Sequence, residues 1–228
     1  METTIECIPC LIKQGIKVAK YLGKTQESTS EMIREILEML SKESYQKNPP
    51  FLSKKIHSII CKHTKEEDPY KNIKTYYNQK VMDMEDALKK RIEDSENKIF
   101  ESLKLAIAGN IIDFGTENEI NENILIESIG QIDKKDLEIN DFDKMYQSLL
   151  TSKRLLYIGD NCGEIVFDKI FLENIKKHFP DIELYFGVRG NPIINDITEK
   201  DAEEVGMQKF ANIINNGDGA PGVVLEDV

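Results

Sequence analysis

The sequence has no tryptophan and only three histidines in 228 residues. His57, His63 and His178 are scattered, each away from any other candidate ligand, which argues against a histidine-built metal centre or a catalytic triad. No apolar run approaches the roughly 20 residues that span a bilayer, and Met1 to Ile12 lacks the layout of a secretory leader. Positive charge is scarce: 30 Lys and Arg stand against 41 Asp and Glu, a formal charge of −11. Neutralising nucleic-acid phosphates needs the opposite balance, and no basic stripe interleaved with aromatics occurs. GxSxG, P-loop and HExxH motifs are absent. These exclusions leave a cytosolic-type globular chain, long enough for one good core and a smaller satellite.

Cysteine is sparse as well. Cys7, Cys10, Cys61 and Cys162 read as thiols or metal ligands rather than disulfides in such a chain. Cys7 and Cys10 form a CxxC pair, but no second pair completes a four-thiolate zinc site. Cys162 stands at a predicted helix start, where the dipole would lower its pKa. The plainer alternative for all four is a small apolar side chain.

What is present is most informative at Leu155-Leu156-Tyr157-Ile158-Gly159-Asp160-Asn161-Cys162-Gly163-Glu164. The apolar run reads as a buried strand whose tip presents Asp160 and Asn161, followed by a turn into a helix from Glu164 to about His178. A second strand pattern, Ile182 to Val188, leads into Arg189-Gly190-Asn191-Pro192 and on to Asp196. Strand, helix, strand is a βαβ unit with parallel strands. Both tips then open on one sheet edge, where open α/β sheets bind ligands. Asp160, Asn161 and Asp196 would supply two carboxylates and an amide oxygen, a hard donor set suited to Mg²⁺ or Mn²⁺. The competing reading makes them helix caps, Asp160 and Asn161 for the helix near Gly163 and Asp196 for one beginning near Thr198.

Residues 1–150 read as helical and residues 151–228 as a Rossmann-like α/β domain. Helical spacing runs from Cys10 to Leu22, from a cap at Ser30 through Leu40, and from Phe51 to Thr64. Asp68-Pro69 opens a long or kinked helical stretch from Tyr70 to about Asp113. Its second half, Ile99 to Asn110, is apolar on more than one face and is expected to be the most buried helix. A weaker helix is predicted over 124–129, and another from a cap at Asp141 through Leu150. The fold class is α/β: a Rossmann-like parallel sheet, three-layered and incomplete at its C-terminal side, with a helical N-terminal domain.

Six motifs in order resemble the metal-dependent damage-control phosphatases, also described as the ARMT-like metal-binding family. They are Cys7-Ile8-Pro9-Cys10, Asp68-Pro69-Tyr70-Lys71, Ala108-Gly109-Asn110-Ile111-Ile112-Asp113, Gly159 to Glu164, Arg189-Gly190-Asn191-Pro192 with Asn195-Asp196-Ile197-Thr198, and Asn216-Gly217 with Ala220-Pro221-Gly222. The CxxC pair is similar to that of the stand-alone microbial branch. The resemblance implies a Mn²⁺, Co²⁺, Ni²⁺ or Mg²⁺ ion on Asp160, Asn161 and Asp196, and hydrolysis of small phosphate monoesters such as sugar phosphates or damaged phosphometabolites. The resemblance also suggests an alternative, methylation of protein carboxyl groups from S-adenosylmethionine; a catalytically inactive metal-binding protein is another.

On the phosphatase reading, N–H groups of Gly163 and Glu164 at the helix start are candidate phosphate donors. Arg189 is the candidate cation, with a surface salt bridge as its alternative. Asn110 and Asp113 are candidate pocket residues or simple helix closers, and Gly217-Asp218-Gly219 a backbone anion nest or an ordinary loop. The implied partner is a small phosphorylated metabolite, with no nucleic acid and no membrane. One departure stands out. Members of the family usually continue past the Pro-Gly motif to a Lys-Gly-Gln-Gly-Asn segment, which this sequence does not contain; the expectation is a truncated sheet and doubtful full activity.

Overall fold

A computed structural model describes residues 2–111, 130 and 137–222. Asp113 and the helix predicted over 124–129 lie outside the described residues. The chain divides into two compact units, one comprising Met1–Asn72, Arg189–Asp196 and Asn216–Val228, the other Ile73–Val188 and Ile197–Asn215. The division therefore does not follow a single cut near residue 150.

In the first unit, α1 (Cys7–Tyr21), α2 (Gln26–Lys42) and α3 (Pro49–Thr64) enclose a core that includes Val18, Met32, Ile36, Leu52, Ile56 and Ile60. The CxxC pair lies inside the first turn of α1. Ser30 does not cap α2: Thr25 does, its side chain accepting the Ser28 N–H at 3.3 Å, while Ser30 lies within the helix and bonds back to the Gln26 carbonyl. A Thr before a Gln-Glu-Ser turn satisfies the exposed N–H groups one turn earlier than the apolar face begins. Pro49 and Pro50 start α3 two residues ahead of the Phe51 expected from spacing, since the first turn needs no N–H from them, and Asn48 Oδ1 accepts the Phe51 N–H at 2.9 Å.

The single stretch predicted from Tyr70 to Asp113 is three helices: α4 (Lys71–Met82), α5 (Glu85–Glu93) and α6 (Lys98–Ile111). The break before α6 follows from side chains that compete with the helical ladder. Ser95 Oγ bonds back to the Ile92 carbonyl at 2.7 Å, and Asn97 Oδ1 accepts the Phe100 N–H at 3.0 Å. After α7 (Phe142–Thr151), started by Asn140 rather than Asp141 through a 3.1 Å bond to the Phe142 N–H, come β1 (Arg154–Ile158), α8 (Glu164–His178), β2 (Glu183–Val188), α9 (Glu199–Glu204) and β3 (Asn212–Asn215).

The three strands form a parallel sheet in the order β1-β2-β3, with Ile158 opposite Gly187 and Val188 opposite Asn215. Alternation sends Leu184, Phe186 and Val188 into the core. Tyr157 stacks on Phe186 at 5.8 Å and meets Phe171 of α8 at 6.1 Å. On the opposite face Leu156 and Ile158 are 55% and 76% exposed.

The most buried helix is α8, not α6, with eleven of its fifteen residues buried. Its one face meets the sheet and another meets α6, where Gly109 leaves room for the Phe167 ring; a Cβ there would lie 2.7 Å from a ring carbon. A helix covered on two sides shows little amphipathic contrast, which is why its sequence pattern understates its burial.

Candidate functional site

In the second unit, β1 ends at Ile158 and Gly159 N–H extends the ladder to the Gly187 carbonyl at 3.0 Å. Asp160 and Asn161 follow at the strand tip, with Asn161 Nδ2 donating to Asp160 Oδ2 at 2.7 Å. Neither caps α8 by side chain. The N-cap position is Gly163, at φ 76°, with no side-chain cap bond, a backbone conformation that glycine adopts without Cβ strain. The Gly163 N–H donates to Asn78 Oδ1 of α4 at 2.6 Å, so in this structure it already has an acceptor. Glu164 accepts from Asn110 Nδ2 at 3.0 Å, which joins two residues placed in the pocket by sequence.

The acids here are crowded. Burial, and then the neighbouring Asp160 charge, raise the Glu164 carboxyl above the usual carboxylate range. One turn along α8, Asp168 is fully buried and raised well above that range, by burial first and by Glu164 and Asp160. It accepts the Tyr157 hydroxyl at 2.6 Å on Oδ1, and its Oδ2 is buried with no hydrogen-bond partner among the described residues. Burial and the adjacent Asp168 push the Tyr157 hydroxyl far above its ordinary value. Sequence reasoning missed Asn78, Asp168 and Tyr157. Asp168 had a faint signal, an acid on the apolar side of a helix next to a strand; nothing local marked Asn78.

Across the second unit's other turn, Ile197 N–H donates to the Asp160 carbonyl at 2.9 Å. Thr198 is the N-cap of α9, its N–H and hydroxyl both reaching Asp201 Oδ2, at 2.8 and 2.7 Å. Capping thus falls to Thr198 and not to Asp196.

Arg189 and Asp196 belong to the first unit, where Arg189 Nε donates to Asp196 Oδ2 at 2.7 Å in a mostly buried pair. Between them Ile194 sits at φ 46°, a left-handed conformation that a β-branched residue adopts only when its surroundings force it. The neighbouring loop is tied to the same segment: Gly190 N–H donates to the Asp218 carbonyl and to Asn216 Oδ1, and Asp218 Oδ1 receives Lys54 Nζ at 2.6 Å and the Gly219 N–H at 2.7 Å. The predicted nest thus carries a buried carboxylate, held low by Lys54 against the opposing effect of burial.

Among the cysteines, Cys162 is fully buried in the apolar core, which replaces the reactive thiol expected at a helix start. Cys7 and Cys61 are half-buried and Cys10 is exposed. No three His, Cys, Asp or Glu side chains among the described residues group as a metal set; a set of two acids and one amide is of a different composition. No helix among the described residues is long and apolar enough to cross a membrane.

A family model described as the damage-control phosphatase ARMT1-like domain matches residues 3–228. The chain belongs to this family. It is 31% identical over 229 residues to an uncharacterized protein of Methanocaldococcus jannaschii, covering 97% of this chain and 73% of that one. It is 28% identical over 226 residues to a protein of Archaeoglobus fulgidus named damage-control phosphatase, covering 97% and 77%. The crystal structure of a DUF89 family protein from Pyrococcus horikoshii superposes with a TM-score of 0.85 at 26% identity, over 99% of this chain and 78% of that one. This damage-control phosphatase family member is accordingly placed among hydrolases, in agreement with the six motifs.

Proposed function

We propose that the protein is a divalent-metal-dependent phosphatase acting on small phosphate monoesters, sugar phosphates or damaged phosphometabolites, with Asp160, Asn161 and Asp196 as metal ligands. The observation that carries this is the acid-rich tip of β1: Asp160 and Asn161 at the end of a parallel strand, with the Glu164 and Asp168 carboxyls raised behind them. Burial is the main cause of both shifts, with the neighbouring acids adding to it, and buried acids next to a strand tip suit a site completed by a cation. Two acids and a neutral amide oxygen fit Mn²⁺, Co²⁺, Ni²⁺ or Mg²⁺, and the amide keeps the donor set from excess charge.

A cation there would supply neutralisation of the phosphoryl charge, an effect of several kcal/mol on the barrier. The protein's own residues do the rest. Glu164, oriented by Asn110, holds a proton at its carboxyl more firmly than an exposed glutamate, which suits protonation of a leaving oxygen. Within the first unit, Arg189 Nε orients Asp196. Asn161 is oriented by the bond from its amide to Asp160.

The test is hydrolysis of p-nitrophenyl phosphate with Mn²⁺ or Co²⁺, by the chain and by Asp160→Ala. Metal-dependent turnover that Asp160→Ala abolishes is the expected result. Stabilisation by S-adenosylmethionine without metal-dependent turnover would favour the methyltransferase, and turnover indifferent to chelators would remove the metal from the reading.

A further inference from the structure

We infer that Lys74 and Asn78, one helical turn apart on α4, are positioning residues that set the spacing between the Asp160–Gly163 turn and the Ile197–Asp201 turn. The inference rests on the metal reading above and lies wholly within the second unit. Residues four apart share a helix face, and both of these are buried, Lys74 completely and Asn78 to 2% exposure. Asn78 Oδ1 accepts the Gly163 N–H at 2.6 Å, serving a buried N-cap donor that the apolar N3 residue, Val166, has no side-chain acceptor to satisfy. That bond determines which way the amide faces and leaves Asn78 Nδ2 buried with no hydrogen-bond partner. For stability alone such a side chain is a poor choice, because the unmet donor offsets the bond its oxygen makes. Its presence points to the oxygen's task at Gly163.

Lys74 treats the second turn in the same way. Its Nζ donates at 2.7 Å to Asp201 Oδ2, the oxygen that also receives both bonds from Thr198. The chain enters that cap through Ile197, directly after Asp196, and the Ile197 N–H reaches the Asp160 carbonyl. The three bonds, Asn78 to Gly163, Lys74 to Asp201 and Ile197 to Asp160, form one frame. One side of it carries Asp160 and Asn161, and the other begins one peptide bond after Asp196. Groups that orient ligands from behind control how well a cation is held.

The experiment is calorimetric titration of the full chain with MnCl₂ in the absence of substrate, alongside Asn78→Leu, Asn78→Asp, Lys74→Met and Asp160→Ala. Asn78→Leu is expected to weaken Mn²⁺ binding roughly 10- to 100-fold, the usual effect of removing such a support, with Lys74→Met similar. Asn78→Asp, which keeps an acceptor facing Gly163, is expected to retain the affinity. If Asn78→Leu does not give a cooperative melt, Asn78→Ser, too short to reach Gly163, carries the same expectation. A folded Leu or Ser variant that binds Mn²⁺ like the wild type overturns the inference, as does Asn78→Asp losing as much as Asn78→Leu. Wild-type binding lost in Asp160→Ala shows that the metal reading survives either result; a wild-type chain that takes up no Mn²⁺ brings down both.

Discussion

The two units bury charge differently. In the second, ionisable groups lie within the core itself: Lys74 with Asp201, Lys169 with Glu85 and the Val205 carbonyl, and Asp168 with Tyr157. In the first, the helices bury polar side chains such as Ser53, His57 and Thr64 without a buried ion pair among the described residues, and the ion pairs Arg189 with Asp196 and Lys54 with Asp218 hold loop segments. Buried charge is costly unless it is paired. A unit that keeps several such groups in its core gives up stability for fixed orientation, whereas the first unit pairs charge between helices, as in Lys62 with Glu35, and at its loops.

The contrast can be broken most sharply by removing one lysine from each unit. Lys74→Met leaves Asp201 without its buried cation and is expected to lose about 3–5 kcal/mol in urea unfolding. Lys54→Met loosens a pair whose lysine is more than a third exposed, and should lose no more than about 1 kcal/mol. Equal losses would erase the distinction. An effect between these two is expected where the loops of the first unit touch backbone to backbone. A Cβ at Gly190 would come within 2.8 Å of the Gly217–Asp218 peptide, so Gly190→Ala should lose about 1–3 kcal/mol by thermal unfolding. An unchanged midpoint would mean that this loop yields easily.

The subtlest prediction concerns pH. Burial raises the Asp168 carboxyl well above its ordinary value, so the folded state holds a proton that the unfolded chain releases near pH 4. The associated stability is fully present below about pH 4 and declines as pH rises toward the folded value. Asp168→Asn stays neutral throughout. Its melting temperature should therefore gain on the wild type as pH rises from 4 to 7, and parallel curves would show that Asp168 is ionised in the fold.

Much of this was legible locally. The β1–α8–β2 unit, the acid-amide pair at the strand tip, and the order of the six motifs follow from short patterns whose physics is contained within a few residues. Element edges differ where side chains outcompete the pattern: Thr25 caps ahead of Ser30, and Ser95 with Asn97 divide what reads as one long or kinked helical stretch. Burial was misjudged for α8, because covering a helix on two sides blurs the amphipathic contrast that the reading depends on.

By itself, then, the sequence determined which residues stand at the strand tip and the family, since both reside in short contiguous patterns. Only tertiary structure decided which side chains brace that tip and the neighbouring turn. Asn78 meets Gly163 and Lys74 meets Asp201 across separations of 85 and 127 residues. No periodicity encodes such pairings, because they are selected by how α4 packs in the folded unit and not by any preference of its own residues.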